Sequence, residues 1–170
     1  LPREPLPAHA EEFRPLNARA LTALGMQTGL SHMEWFRKPD GQMVISEVAA
    51  RPPGVNIMTM IGLAHGVDMW ARWARLMVFE TFELPERQLA CGCAFFRGHG
   101  PGRVVSAVEG LDEVIAELGD TVVTGSRPKV GQPRSSHYEG EGWVLVRHRD
   151  TQGVVDALKK LVTRTTIRYR

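Results

Sequence analysis

The sequence predicts an α+β fold with a mainly antiparallel sheet, and three features support this prediction. Residues 28–50 place alternating apolar, aromatic and β-branched residues on either side of a turn, which is typical of a β-hairpin. Apolar residues at helical spacing flank this stretch, at 11–25 and again across 55–80. From residue 89 onwards, short strand and helix patterns follow one another, which indicates a second, small α+β unit.

In the first half, glycine and proline mark where the elements end. Gly25 is a natural helix stop, and Lys38-Pro39-Asp40-Gly41 is a strong turn signal. Arg51-Pro52-Pro53-Gly54 ends the second strand, because proline has no N–H for the ladder. Asp68 is placed to cap the last helix. The predicted elements are an extended leader (1–10), a helix (11–25), the hairpin (28–50) and two helical pieces (55–66 and 67–80).

The second half is predicted to begin at residues 81–88, where charge and proline interrupt the apolar pattern. This boundary divides the chain into predicted domains 1–80 and 81–170. The predicted elements of the second domain are strand Leu89–Phe96, a glycine-rich turn (98–102), strand Arg103–Val108, helix Leu111–Leu118, a strand near Thr121–Thr124, a polar loop (125–142), strand Trp143–His148, helix Thr151–Thr163 and strand Thr166–Tyr169.

The composition is that of an ordinary globular protein, with 43% hydrophobic and 24% charged residues in a chain of 170. The net charge of +2 is too small to indicate a nucleic-acid partner. No signal peptide is visible and no apolar run is long enough to span a bilayer, so no membrane partner is expected. Homo-oligomerisation is left open by the sequence.

The two cysteines, Cys91 and Cys93, occupy alternate positions of a predicted strand and therefore share a face. Without a second cysteine pair or a nearby histidine pair, we expect no zinc site. We interpret both as small buried apolar residues, with a redox role as the alternative. Few cysteines favour a reducing compartment, so we expect a cytoplasmic protein. The chain begins with Leu1 rather than Met, which favours a processed chain or a fragment.

The hairpin register follows from the position of the turn. If the loop is symmetric about the Asp40–Gly41 bond, Glu34 faces Glu47, and Trp35 faces Ser46 on the other side. Directly opposed side chains lie roughly 5 Å apart at Cβ, and like charges placed that way are destabilising. A divalent cation between the two carboxylates, such as Mg²⁺, or a shared proton would remove this repulsion. The alternative is a solvated strand face on which the two glutamates splay apart.

Two further residues favour a binding site. Arg51 follows Glu47 by four positions, so the two share a face while the strand stays extended. A guanidinium there suits a phosphoryl group, which it can bind in fork geometry. Gly54 comes next, at a point where the backbone could approach a ligand closely.

The stretch GLSHMEWF…GQMVISEVAARPPG, preceded by Ala-Leu-Gly at 23–25, resembles the metal-binding hairpin of ATP-grasp ligases. The resemblance covers residues 1–80 and implies the C-terminal half of an ATP-grasp domain. In that superfamily, one Glu on the first strand and a Glu-x-Asn-x-Arg on the second hold Mg²⁺ and the nucleotide phosphates. The resemblance therefore implies Glu34 and Glu47 as metal ligands, Glu34, Glu47, Arg51 and Gly54 as cofactor-binding residues, and Glu47 and Arg51 as catalytic residues. The implied cofactors are ATP and Mg²⁺, with Mn²⁺ as an alternative.

The sequence departs from that pattern at Ala49, which stands where the family has Asn and cannot bind a metal. In the predicted register Ala49 faces His32, which could supply the missing polar group. The alternative is a histidine whose ring nitrogens are satisfied by backbone or water.

The second half resembles the small C-terminal subdomain of L-amino-acid ligases, through GRVVSAVEGLDEV and the terminal strand–helix–strand. One loop of this half carries Lys129, Arg134, Ser135, Ser136 and His137, which could approach a substrate or simply face solvent. In the ATP-grasp superfamily the other lobe supplies strands, lysines and a glycine-rich loop over the phosphates, and this sequence shows no such pattern. The GHGPGR stretch at 98–103 is rich in glycine but opens no helix, so we interpret it as a turn rather than a phosphate-binding loop.

The resemblance thus implies the C-terminal fragment of an ATP- and Mg²⁺-dependent carboxylate–amine ligase that acts through an acylphosphate. Its expected partners are small carboxylate and amine substrates and a missing N-terminal lobe. Amino acids are the expected substrates, with carbamate or bicarbonate chemistry as in related families. The isolated 170-residue chain is expected to be inactive. Two alternatives remain: a non-catalytic binding or assembly domain, and an ordinary α+β domain with a chance motif.

Overall fold

A computed structural model describes residues 1–4 and 12–170 of the chain. The rest of the predicted leader and the predicted helix start at residue 11 lie outside the described residues. The α+β prediction is confirmed. In chain order the described elements are α1 (Phe13–Ala23), β1 (His32–Arg37), β2 (Met43–Ala49), α2 (Ile57–His65), α3 (Met69–Phe79), β3 (Ala90–Phe96), β4 (Val105–Glu109), α4 (Leu111–Leu118), a 3₁₀ turn (Gly119–Thr121), β5 (Val122–Ser126), β6 (Gly142–His148), α5 (Thr151–Arg164) and β7 (Thr166–Tyr169).

The described residues form two compact units. The hairpin unit comprises residues 12–62 and 67–85, and the C-terminal unit comprises residues 1–4, 63–66 and 86–170. The predicted domains, 1–80 and 81–170, remain a prediction. Among the described helices, none is both long and apolar enough to cross a membrane.

The turn of the hairpin is one residue shorter than its predicted symmetry requires. The Lys38 N–H donates to the Gln42 carbonyl at 2.9 Å, which leaves a three-residue loop centred on Asp40. Gly41 has φ +84°, and a left-handed residue at this place is typical of such loops. The Asp40 carboxylate accepts the Gln42 N–H at 2.8 Å and closes the turn.

The predicted pairing of Trp35 with Ser46 is therefore wrong. Trp35 pairs with Ile45, and a bulge between Glu34 and Trp35 shifts the register by one residue. Beyond the bulge, Glu34 does face Glu47, as predicted. The shorter loop and the bulge shift the register in opposite directions, so they cancel at this pair. Bulges of this kind re-aim side chains and are frequent beside active sites.

The hairpin has a packed face and an open face. On the packed face, the rings of Phe13 in α1 and Trp35 lie 5.4 Å apart at a tilt of 59°. On the open face, Glu34 and Glu47 are exposed. In the same unit, α3 begins at the predicted cap Asp68, whose carboxylate accepts the N–H groups of Trp70 and Ala71 at 2.9 and 3.1 Å. The hairpin thus presents both carboxylates away from the residues that pack against α1.

The C-terminal unit contains two antiparallel sheets rather than one. The first has the strand order β3-β6-β5, and the second pairs β4 with β7. Helix α5 packs on β3 at Gly92, where an added Cβ would lie 2.8 Å from Val154 and 2.7 Å from Leu158. The core contains the buried residues Ala90, Ala94, Phe96, Val105, Leu111, Val114, Val144, Val146, Val154, Ala157, Leu161 and Ile167.

An exposed ion-pair cluster joins α4 to α5 and makes a pH-dependent contribution to stability. Glu117 accepts from Lys160 at 2.7 Å and also from Arg164. These hydrogen bonds, that of Lys160 first, lower the pKa of Glu117 from 4.5 to about 2. Because the pKa is lower in the folded state, the stabilisation is fully present above pH 4.5 and is lost as the pH falls towards 2.

We expect Glu117→Gln to lower the midpoint of urea unfolding at neutral pH and low salt, and this difference from wild type to shrink between pH 4.5 and 2. High salt should reduce it, because the cluster is exposed. The control is Glu113→Gln on the same helix, which removes an exposed carboxylate without this cluster. A difference that stays constant with pH would contradict the assignment.

Candidate functional site

The open face of the hairpin brings the two predicted metal ligands together. Glu34 of β1 lies directly across from Glu47 of β2, next to the bulge. The Glu47 side chain is 52% exposed, so its charge is hydrated rather than buried. Two carboxylates that face each other repel, and among ordinary strand pairs this placement is unfavourable. The repulsion between the two carboxylates therefore lowers the stability of the hairpin unless positive charge offsets it.

Arg51 partly offsets this repulsion. Its guanidinium lies 3.8 Å from a Glu47 carboxylate oxygen, although β2 already ends at Ala49. It also donates to the Pro52 carbonyl at 3.1 Å. Both side chains of the pair are half exposed, and such pairs stabilise a fold by about 0–1 kcal/mol. The structure thus brings Glu34, Glu47 and Arg51 to one face, where the guanidinium remains accessible to an anion.

Gly54 shows no close approach of the kind that the sequence suggested. An added Cβ at Gly54 would meet nothing within 4 Å. The positive φ values lie instead at the next two residues, Val55 with +53° and Asn56 with +62°. A β-branched residue in this region is a conformational outlier, and such outliers cluster at functional sites. No local sequence pattern predicts this conformation, since valine normally disfavours it.

His32 and Ala49 pair directly, as predicted. His32 is half-buried, and its Nδ1 is a buried atom without a hydrogen-bond partner in the described structure. Ala49 offers only a methyl group opposite the ring. Within the described structure this ring nitrogen is therefore unsatisfied, and the Ala49 side chain cannot satisfy it.

The sequence interpretation missed Phe36. This side chain is 64% exposed and pairs with Val44, which is 36% exposed. It lies two positions after Glu34, so it shares the open face. A large apolar surface beside a carboxylate pair suits a ligand that carries both a flat ring and negative charges. Strand alternation on its own would have placed Phe36 on this face.

Arg134 and Ser135 of the polar loop contact other residues of the C-terminal unit. Arg134 lies 4.5 Å from the centroid of the Tyr169 ring and donates to the Gly100 carbonyl at 2.9 Å. The Ser135 N–H donates to the buried Glu141 carboxylate at 3.1 Å. Cys91 is buried, as predicted, and burial raises the pKa of its thiol. Cys93 is only partly buried, so the prediction that both cysteines are buried is wrong for Cys93. A substrate contact by this loop remains a prediction.

The residues of the open face fit a divalent cation of the Mg²⁺ type. Such an ion is usually held by one or two carboxylates, together with substrate phosphates and water. Glu34 and Glu47 supply that number. Across the residues that the structure describes, no group of three or more His, Cys, Asp or Glu side chains could hold an ion alone.

No protein-family model and no curated protein sequence matches this chain. Solved structures do share its fold. The crystal structure of an L-amino acid ligase from Bacillus licheniformis superposes with a TM-score of 0.75 at 18% identity, over 98% of this chain and 43% of that one. Phosphoribosylglycinamide synthetase from Anaerococcus prevotii gives a TM-score of 0.71 at 13% identity, over 98% and 44%.

N5-carboxyaminoimidazole ribonucleotide synthetase from Thermotoga maritima gives a TM-score of 0.67 at 17% identity, over 98% of this chain and 44% of that chain. The chain therefore spans less than half the length of these solved proteins. At these identities the likeness concerns the fold alone. The fold of this chain is that of the C-terminal half of ATP-grasp ligases, as the sequence predicted.

Proposed function

We propose that the chain is the C-terminal part of an ATP- and Mg²⁺-dependent carboxylate–amine ligase that acts through an acylphosphate on amino acids. The observation that carries the proposal is the pairing of Glu34 with Glu47 on an open face, with Arg51 at 3.8 Å from Glu47. The likeness to three ligases and synthetases supports the general class. The likeness to an L-amino acid ligase supports the substrate class.

Each residue of the open face has a role in this proposal. Glu34 and Glu47 hold the cation, whose charge would neutralise the nucleotide phosphates and orient the transferred group. Arg51 binds an oxygen of the phosphoryl group, and its planar guanidinium stabilises the negative charge that develops there. Phe36 and Val44 provide an apolar surface for the flat base. Gly54 leaves open space beside the substrate, and Val55 and Asn56 hold the strained turn that follows.

A second lobe is a proposed partner. The solved proteins of this fold are more than twice as long as the matched part, which leaves room for a lobe that covers the nucleotide. A small carboxylate and an amine would bind between the lobes.

A non-catalytic binding domain is the second candidate, and Ala49 favours it. Alanine lacks the side-chain oxygen that Asn provides at this position in ATP-grasp ligases, so it cannot bind a metal. The retention of Glu34, Glu47 and Arg51 on one face favours a ligase instead.

The isolated chain should bind Mg²⁺–ATP weakly but should not turn it over. Two carboxylates and one guanidinium hold the phosphates from one side only, so we expect dissociation constants of about 1 mM or weaker. Binding can be followed by chemical shifts of the ³¹P nuclei of ATP. Glu34→Gln should remove the Mg²⁺-dependent part of the shift, whereas the control Glu113→Gln should retain it.

Two results would count against the proposal. Binding that is independent of Mg²⁺ and unchanged in Glu34→Gln would remove the metal site. ADP release by the isolated chain in the presence of amino acids would show that no second lobe is needed.

A further inference from the structure

Helix α3 of the hairpin unit carries apolar side chains on two opposite sides. One side is formed by the buried residues Met69 and Leu76. On the other side, Trp70 and Met77 are each 54% exposed and Val78 is 69% exposed. An amphipathic surface helix has polar residues on its solvent side, whereas a helix that is apolar all round is normally buried. The solvent side of α3 therefore has the composition of a surface that another part of a protein covers.

The exposed residues of α3 form one continuous apolar stripe, which we call the α3 face. Residues spaced by three, four, seven or eight positions share a side of a helix. The α3 face consists of Trp70, Ala71, Ala74, Met77 and Val78, all of which are exposed and uncharged. The two alanines leave room for a partner's backbone to approach closely, while Trp70 and Met77 supply large apolar contacts.

The apolar surface continues beyond the stripe. Phe79 at the end of the helix and Phe82 after it are also exposed. On another side, the Met77 sulfur lies 3.9 Å from where a Cβ on Gly29 would be, so the α3 face borders the loop that follows α1. Single exposed apolar residues are ordinary, but a patch of this kind marks an interaction surface.

We propose that the α3 face is the docking surface for the remaining half of the same polypeptide. The inference rests on the proposed function, because its occupant is the second lobe proposed there. The solved proteins of this fold are each more than twice as long as the part that matches this chain, so a large further portion is available to cover the face. An uncharged face suits a permanent partner, since permanent interfaces are more apolar than transient ones.

The test compares the 170-residue chain with the full-length protein that contains it, by hydroxyl-radical footprinting read out by mass spectrometry. Trp70 and Met77 should be oxidised readily in the isolated chain. In the full-length protein we expect their oxidation rates to fall at least about fivefold, because the centre of an interface is packed like a protein interior. Tyr138, an exposed residue of the C-terminal unit, provides the reference rate for each sample.

Val78→Glu places a charge in the proposed interface. In the full-length protein it should return the oxidation of Trp70 and Met77 to within about twofold of the isolated chain, because burying an unpaired charge is costly. In the isolated chain it should leave the midpoint of urea unfolding unchanged, since Val78 is exposed there. Val162→Glu, at an exposed valine of α5, is the matched control and should leave Trp70 and Met77 protected.

The outcomes separate this inference from the proposed function. Equal oxidation of Trp70 in the isolated chain and the full-length protein would overturn the docking surface, whether or not the protein forms ADP. Protection in the isolated chain that disappears on dilution would also overturn it, because the occupant would then be a second copy of this chain. Protection in a full-length protein without ligase activity would support the docking surface and remove the proposed function.

Discussion

In a full-length ligase that contains this chain, Glu47→Gln should lower the rate of ATP-dependent ligation by about 100-fold or more. The substitution keeps the shape of the side chain but removes one of the two charges that face each other across the hairpin. It also removes the partner of Arg51, which lies 3.8 Å away. The measurement is amino-acid-dependent ADP release at saturating ATP and Mg²⁺.

The companion variant Arg51→Lys keeps a positive charge and loses the fork geometry. We expect it to lower the rate by roughly ten- to a hundredfold, because an ammonium cannot form the two parallel bonds to a phosphoryl group. Cys91→Ala is the control: the thiol is fully buried in β3, so its loss affects packing and not chemistry. If Cys91→Ala abolished turnover in a folded protein while Glu47→Gln did not, the active site would lie elsewhere.

The sequence predicted the carboxylate pair, but through a register argument that was only partly correct. The argument assumed a symmetric loop about the Asp40–Gly41 bond, whereas the loop is centred on Asp40. A bulge then returns Glu34 to Glu47. Loop length could have been foreseen, since Asp-Gly after proline also suits a three-residue loop with a left-handed glycine. The bulge could not, because it depends on packing that no local residue pattern encodes.

Among the remaining features of the open face, some could be predicted from the sequence and others could not. Phe36 follows from strand alternation once β1 is placed, so the sequence contained its signal. The strained backbone at Val55 and Asn56 does not, because local preference opposes it and the surrounding structure must impose it. The buried, unsatisfied Nδ1 of His32 could likewise not be predicted from the sequence, since burial of a single atom depends on tertiary packing.

The elements of the C-terminal unit follow closely from periodicity, and helix α5 shows why. Its buried residues Val154, Ala157 and Leu161 recur at helical spacing, which a sequence displays directly. The division of the strands into two sheets is different, because pairing partners such as β4 and β7 lie far apart in the chain. Local patterns specify which residues form strands, but not which of those strands pair with one another.

That same helix carries the largest stability effect we expect. Leu161 is fully buried in the core of the C-terminal unit, whereas its neighbour Val162 is 59% exposed. Leu161→Ala should lower the free energy of unfolding of this unit by about 2–5 kcal/mol, through lost burial and the cavity left behind. Val162→Ala should change it by less than about 0.5 kcal/mol. Amide hydrogen exchange of strand β6 in denaturant measures this unit alone. Equal losses in both variants would mean that α5 does not pack on the sheet through Leu161.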